Sequence, residues 1–101
     1  MVNNRVIVWD KIAFEQLKEV YDSLKSDENS SFAVKVKNLI LKTTTELIHN
    51  PEIYEQDRFK LDNDGSYRAF EKHKYRVAYK ITETQIRILR VRHTSREPIE
   101  Y

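Results

Sequence analysis

Three strand-like runs crowd into residues 67–93, and the links between them are too short for anything but hairpins. Tyr67 to Lys72, Tyr75 to Ile81 and Ile86 to His93 are rich in aromatic and β-branched residues. Only His73-Lys74 separates the first pair, and Glu83-Thr84-Gln85 lies before the third. A parallel pairing needs a crossover of a dozen residues or more, so these runs are predicted to form an antiparallel meander. Tyr75, Val77, Tyr79 and Ile81 alternate onto one face, leaving Arg76, Ala78 and Lys80 on the other. By the same alternation, Ile86 and Ile88 share a face with Arg90 and Arg92, opposite Arg87, Leu89, Val91 and His93. Apolar groups on both sides point to a central strand, and the basic residues are expected to be spread over both faces.

Upstream, the apolar period changes from two to about 3.6. Arg5 to Trp9 reads as a first strand, and Asp10 after it can cap a helix by accepting from exposed N–H groups. Ala13, Leu17, Val20, Tyr21 and Leu24 form one helical stripe. The polar stretch from Ser26 to Ser31 is the predicted turn. Ala33, Val36, Ile40 and Leu47 form a second stripe, widened by Leu39 and Ile48. Asn50-Pro51 should stop this helix, because proline disfavours helical geometry at the residue before it. The result is an antiparallel two-helix hairpin. Residues 52–65 are polar and irregular, and the chain's one glycine, Gly65, falls where a positive φ is expected. The predicted class is α+β: an N-terminal strand, a two-helix hairpin, then a three-stranded antiparallel meander, with the helices on one face. No repeat, low-complexity tract or linker divides the chain, so residues 1–101 are expected to form a single domain.

The formal net charge of +2 conceals a segregation. Residues 1–65 hold nine basic and twelve acidic side chains; residues 66–96 hold nine basic ones against Glu71 and Glu83 alone. Such asymmetry points to a polyanionic or acidic partner. The absence of cysteine excludes disulfides and thiolate-held metals. His49, His73 and His93 have no spacing that links them as ligands, and no phosphate-binding glycine loop or nucleophile elbow occurs, so neither metal nor cofactor is expected. No apolar run approaches the roughly 20 residues that span a bilayer, and the first residues lack a signal-peptide core. A cytoplasmic location is expected, with no membrane partner.

Tyr75-Arg76-Val77-Ala78-Tyr79, then Ile86-Arg87-Ile88-Leu89-Arg90-Val91, then His93-Thr94-Ser95-Arg96-Glu97-Pro98 resembles the end of RelE/ParE-family toxins of bacterial type II toxin–antitoxin systems. Tyr67-Arg68-Ala69-Phe70-Glu71 resembles that family's first strand after its helical hairpin. The resemblance implies a toxin with a cognate antitoxin, whose acidic segment would suit the basic stretch. Two activities occur in the family. RelE-type members cut messenger RNA on the ribosome without a metal, which makes them endoribonucleases; ParE-type members poison DNA gyrase and have no nuclease residues. The expectation is the RelE-type activity, with the ParE-type as alternative, towards which the long hairpin leans. A non-toxic basic nucleic-acid-binding module is the further alternative.

Metal-free RNA cleavage needs a base for the 2′-hydroxyl, a cation for the phosphoryl charge and an acid for the leaving oxygen. The resemblance places Arg76 in the charge-holding role, His93 in proton transfer and Arg96 against phosphate, as the catalytic set. Arg68, Lys72, Lys74, Arg90 and Tyr101 are the candidate substrate-binding residues, Tyr101 by stacking on a base. The resemblance also implies that Arg76, His93 and Arg96 gather at one concave spot on the sheet. Glu71, an acid in a basic stretch, is expected to pair across strands with Lys72, Lys74 or Lys80 rather than to act as a base.

Overall fold

The structure is a computed structural model, and it describes residues 4–96, 100 and 101. Strand β1 (Val6–Trp9) is followed by helices α1 (Lys11–Asp27) and α2 (Ser30–Glu46), then by β2 (Tyr67–Lys72), β3 (Tyr75–Ile81) and β4 (Gln85–His93). This is the predicted α+β order. Glu97 and Pro98, which close the stretch of family resemblance, lie outside the described residues.

The meander forms as expected. His73 and Lys74 both have positive φ, 48° and 66°, so β2 and β3 are joined by a two-residue turn whose twist matches that of the strands. The sheet order is β1-β4-β3-β2, and β1 runs parallel to β4 from Val6↔Gln85 to Trp9↔Ile88. The helices and the two other strands between β1 and β4 make this crossover long enough for parallel pairing.

One feature of the register overturns the expected placement of the basic residues. Ala78 pairs with Arg90 and Tyr79 with Ile88, so Leu89 has no partner on β3. This is a β-bulge, and it shifts the alternation of β4 by one residue. Ile86, Ile88, Val91 and His93 therefore stay on one face with Ile81, Tyr79, Val77 and Tyr75. Arg87, Arg90 and Arg92 all fall on the other, opposite Lys80, Ala78 and Arg76. The β4 arginines are not divided between the two faces.

The first of these faces carries the core. Phe70, Val77, Tyr79, Ile86, Ile88 and Val91 are buried against Ala13, Leu17 and Val20 of α1 and Val36, Ile40 and Leu47 from α2 and its end. The two helical stripes are the predicted ones, with Leu24 and Leu39 half-buried at their margins and Ile48 exposed.

The helix ends depart from expectation in two places. Asp10 sits at the α1 N-cap but makes no capping hydrogen bond; its carboxylate pairs with Arg87 instead. Asn29 caps α2, its side chain accepting from Phe32 N at 2.8 Å. α2 stops at Glu46, before Asn50-Pro51, and the chain winds on to His49 through i→i−3 bonds from Leu47, Ile48 and His49. Thr43, Thr44 and Thr45 each donate a hydroxyl to the carbonyl four residues back, at 2.8, 2.8 and 3.0 Å. Such bonds bend and loosen a helix, and here they immediately precede its tightening.

Because Ile40 and Ile88 are fully buried on the two sides of one core, Ile40→Ala and Ile88→Ala should each lower stability by about 2–5 kcal/mol in urea denaturation. A loss below 1 kcal/mol at both positions is inconsistent with this packing.

Candidate functional site

The face of the sheet turned away from the helices collects charge. Arg76 and Lys80 project there from β3, Arg87, Arg90 and Arg92 from β4, and Tyr67 and Glu71 from β2. A short segment of the irregular stretch joins them at the β2 edge. Asp57 N donates to Tyr67 O at 2.8 Å and Ala69 N to Glu55 O at 3.3 Å, with a bridge between Gln56 and Arg68. Since Gln56 faces the helix side with Arg68, Asp57 is turned onto the charged face. The segment is anchored by Asn63, whose Nδ2 donates to Tyr67 O at 2.9 Å and whose Oδ1 accepts from Gly65 N at 2.8 Å. Gly65 there has φ +97°, the positive value expected of it.

Asp57 is the hub of this face, and nothing in the sequence singled it out. It is 1% exposed, yet every direction of its carboxylate is filled. Arg76 Nη2 donates to it at 2.8 Å, Tyr101 Oη at 2.7 Å and Phe59 N at 3.1 Å. Burial pushes the Asp57 carboxyl up, but the hydrogen bonds from Arg76, Tyr101 and Phe59 together with the Arg76 charge outweigh it, holding it below the ordinary 3.8. Arg76 turns its other nitrogen, Nη1, to Glu71 at 2.9 Å, and its guanidinium stacks on the Phe59 ring at 4.8 Å. It is neither the solvated sheet arginine nor the open phosphate ligand that its position suggests. Glu71 pairs with its cross-strand neighbour Arg76 rather than with a lysine.

Tyr101 closes the hub. Its N donates to Phe59 O at 3.0 Å, and its O accepts from Leu61 N at 2.8 Å and Lys60 Nζ at 3.1 Å. The Arg90 guanidinium lies 4.0 Å from the centre of its ring, and Tyr67 meets it edge-on at 6.2 Å. Burial, and then the bond to Asp57, push the Tyr101 phenol up; burial pulls Arg90 down. Lys60 and Lys80 sit over the Tyr67 ring at 4.7 and 5.0 Å. The outer face is thus a layer of cations interleaved with aromatic rings around one buried carboxylate.

The structure brings together some of the predicted site residues and separates others. Arg76, Arg90 and Tyr101 share the outer face. His93 does not: it pairs with Tyr75 in register, on the helix side, and its ring packs edge-on against Tyr75 at 5.1 Å. With Arg96 it lines a separate cavity beside α1. The single concave spot expected for Arg76, His93 and Arg96 is therefore not formed, because adjacent positions on β3 project to opposite faces. Arg68 also faces the helix side, where its Nη1 donates to Tyr54 O at 2.8 Å and holds the irregular segment. Lys72 shares that side of β2, and Lys74 stands exposed in the hairpin turn. No group of three or more potential metal ligands occurs among the described residues, and no helix among them is long and apolar enough to cross a membrane.

Comparison with known proteins follows the same outline. A family model, the ParE toxin of the type II toxin–antitoxin system parDE, matches residues 7–98. The fold is similar to a structure of the chromosomal ParDE system from P. aeruginosa, with TM-score 0.74 and 16% identity over 92% of this chain and 99% of that one. It is also similar to the toxin–antitoxin complex RelBE2 from Mycobacterium tuberculosis, with TM-score 0.62 and 16% identity over 89% and 98% of the two chains. The YoeB dimer from Staphylococcus aureus gives TM-score 0.58 and 17% identity over 89% and 97%. No curated protein sequence matches the chain.

Removing Arg76 would leave Asp57 charged and buried, so Arg76→Ala should destabilise the fold by about 3–5 kcal/mol, whereas Tyr101→Phe should cost about 1–3 kcal/mol. The Asp57 carboxyl titrates lower in the folded chain than its unfolded 3.8. Its stabilisation is therefore complete above about pH 5 and drains away as the pH falls through the folded value. Urea midpoints measured from pH 7 to pH 3 should show this loss, and Asp57→Asn should remove that part of the pH dependence while lowering stability at pH 7.

Proposed function

Because the chain belongs to the ParE toxin family of type II toxin–antitoxin systems, we propose that it arrests growth as a ParE-type inhibitor of DNA gyrase rather than by cutting messenger RNA. The observation that carries this reading is the state of Arg76. Both terminal nitrogens are committed, to Asp57 and Glu71, and its plane is covered by Phe59. An arginine held this way is a structural cation whose charge is already answered, and a phosphoryl group would have to compete with a buried carboxylate for it. The imidazole needed for proton transfer is on the other side of the sheet. The agreement of the family model over residues 7–98 points the same way.

In this reading the chain acts by binding. The outer face offers Arg90, Arg92, Lys60 and Lys80 among tyrosine rings, a surface suited to an acidic partner segment. The cognate antitoxin would supply such a segment, and its association should weaken steeply with added salt.

Purified chain added to gyrase and relaxed plasmid should block supercoiling and trap cleaved DNA, while primer extension on messages from an in vitro translation reaction shows no new cuts. Discrete, ribosome-dependent cuts with supercoiling untouched would establish the RelE-type activity instead. Normal growth on induced expression, with the folded chain present, would overturn the toxin reading of this copy.

A further inference from the structure

We propose that the open edge of β1 is a pairing site for a second copy of this chain, joining two sheets into one about a twofold axis. The parallel register with β4 decides which backbone groups stand on that edge. Val6 N donates to Thr84 O at 3.1 Å and Asp10 N to Ile88 O at 2.9 Å, so Val6, Val8 and Asp10 turn their backbone groups inward. The N–H and C=O groups of Ile7 and Trp9 therefore point out of the sheet. β1 is the last strand in the sheet order, and no other described segment pairs with it.

The two edges of the sheet differ. The β2 edge is paired over Tyr67 to Ala69 by the segment around Gln56, and beyond that it carries Glu71 and Lys72. The β1 edge is Val-Ile-Val-Trp, with no charge, proline or bulge to blunt it. Val6 is 55% exposed, and Val8, on the same outer face, is half-buried. On the helix side Ile12 is 59% exposed. It lies opposite Tyr21 on the helical wheel, and the Tyr21 ring is covered by Lys37 of α2. Ile12 is therefore on the flank of α1 away from α2. α1 packs over β4 and α2 over β2, so that flank is the β1 side.

The chemistry of this edge selects the occupant. An acidic segment, which the outer face suits, would lose hydration of its carboxylates against Val6, Val8 and Ile12. The partner strand has to be apolar and uncharged, and β1 is itself such a strand. Antiparallel pairing about a twofold axis at Val8 sets Ile7 of each copy opposite Trp9 of the other. Each of these pairs exchanges two N–H···O bonds, so the outward groups of Ile7 and Trp9 are satisfied in both copies. Val8 meets its counterpart on the outer face, and Ile7 meets Trp9 on the helix side, an aromatic with a β-branched residue. The pairing also closes, because the joined sheet then ends on two β2 edges that are already paired or charged. Both outer faces lie on the same side of that sheet, within reach of one bivalent acidic partner. A four-residue edge makes a small interface, so a reversible dimer in the micromolar range is expected.

The test uses the full chain, which has one tryptophan and no cysteine. Sedimentation equilibrium should show a concentration-dependent dimer, and Trp9 emission should move to the blue over the same range. Val8→Cys should give a disulfide-linked dimer on mild oxidation, because residues opposed in this way bring their Cα atoms to about 4.5 Å. Val6→Cys, at the more exposed position, should not cross-link, since its counterpart lies four residues along the partner strand, about 13 Å away. Val8→Lys sets like charges against each other on the axis and should weaken dimerisation at least about ten-fold. A chain that stays monomeric to millimolar concentration, a dimer that survives Val8→Lys, or cross-linking of Val6→Cys as readily as Val8→Cys overturns the proposal. So does a monomer whose Trp9 emission responds to the peptide acetyl-Glu-Val-Glu-Val-NH₂, which would assign the edge to an acidic partner. None of these readouts depends on gyrase inhibition.

Discussion

β4 has one residue more than β3 can pair with, and the placement of that surplus at Leu89 decides what each face of the sheet becomes. Ile88 and Leu89 are adjacent apolar residues, where strict alternation would turn one out and carry the error forward. With a regular register, Val91 would leave the core and Arg90 and Arg92 would turn towards the buried helix side. Burying two unpaired guanidiniums costs several kcal/mol each, far more than one lost ladder bond. The bulge removes the conflict: Val91 stays with Ile86 and Ile88 under α1, and the arginines move to the outer face. The core and the basic surface are two consequences of one irregularity.

The outer face then presents its own electrostatic problem, since Arg76, Arg90 and Arg92 crowd together on neighbouring strands. Asp57 answers it from outside the sheet. A carboxylate with 1% exposure is tolerable only because Arg76, Tyr101 and the Phe59 N–H satisfy it together. The bonds from Arg76 and Tyr101 also tie the irregular segment and residue 101 to the middle of the sheet. At the centre of the face the Arg76 charge is answered by two carboxylates, Asp57 and Glu71, while Lys60, Lys80, Arg90 and Arg92 form a cationic surround. Such an arrangement is suited to orienting an acidic partner and poorly suited to holding a reacting phosphate. The proposal of a toxin that works by binding rests on this arrangement.

The second cluster, His93 with Arg96 and Gln16, owes its existence to the limited length of β1. Four residues of β1 cover β4 only as far as Ile88, and α1 has to protect the remainder. It does so through the Gln16 amide, and the space left between helix and strand end is the cavity beside α1. Two functional-looking groups of residues that sit close in sequence are in this way delivered to opposite sides of one sheet.

The sequence by itself determined the element order, the helical stripes, the meander and the turn at Gly65, because each follows from local periodicity, short links or a residue's own backbone preference. The resemblance over residues 67–98 identified the family for the same reason: strand-borne motifs keep their spacing. Tertiary structure alone decided the rest. Leu89 looks like any strand residue until β3 refuses it a partner, so the faces of Arg90, Arg92 and His93 could not be read from alternation. Asp57 sits in a polar stretch indistinguishable from a loop, and only the pairing of that stretch with β2 carries it beneath Arg76. The joining of Tyr101 to Asp57 spans 44 residues, and no local rule reaches that far.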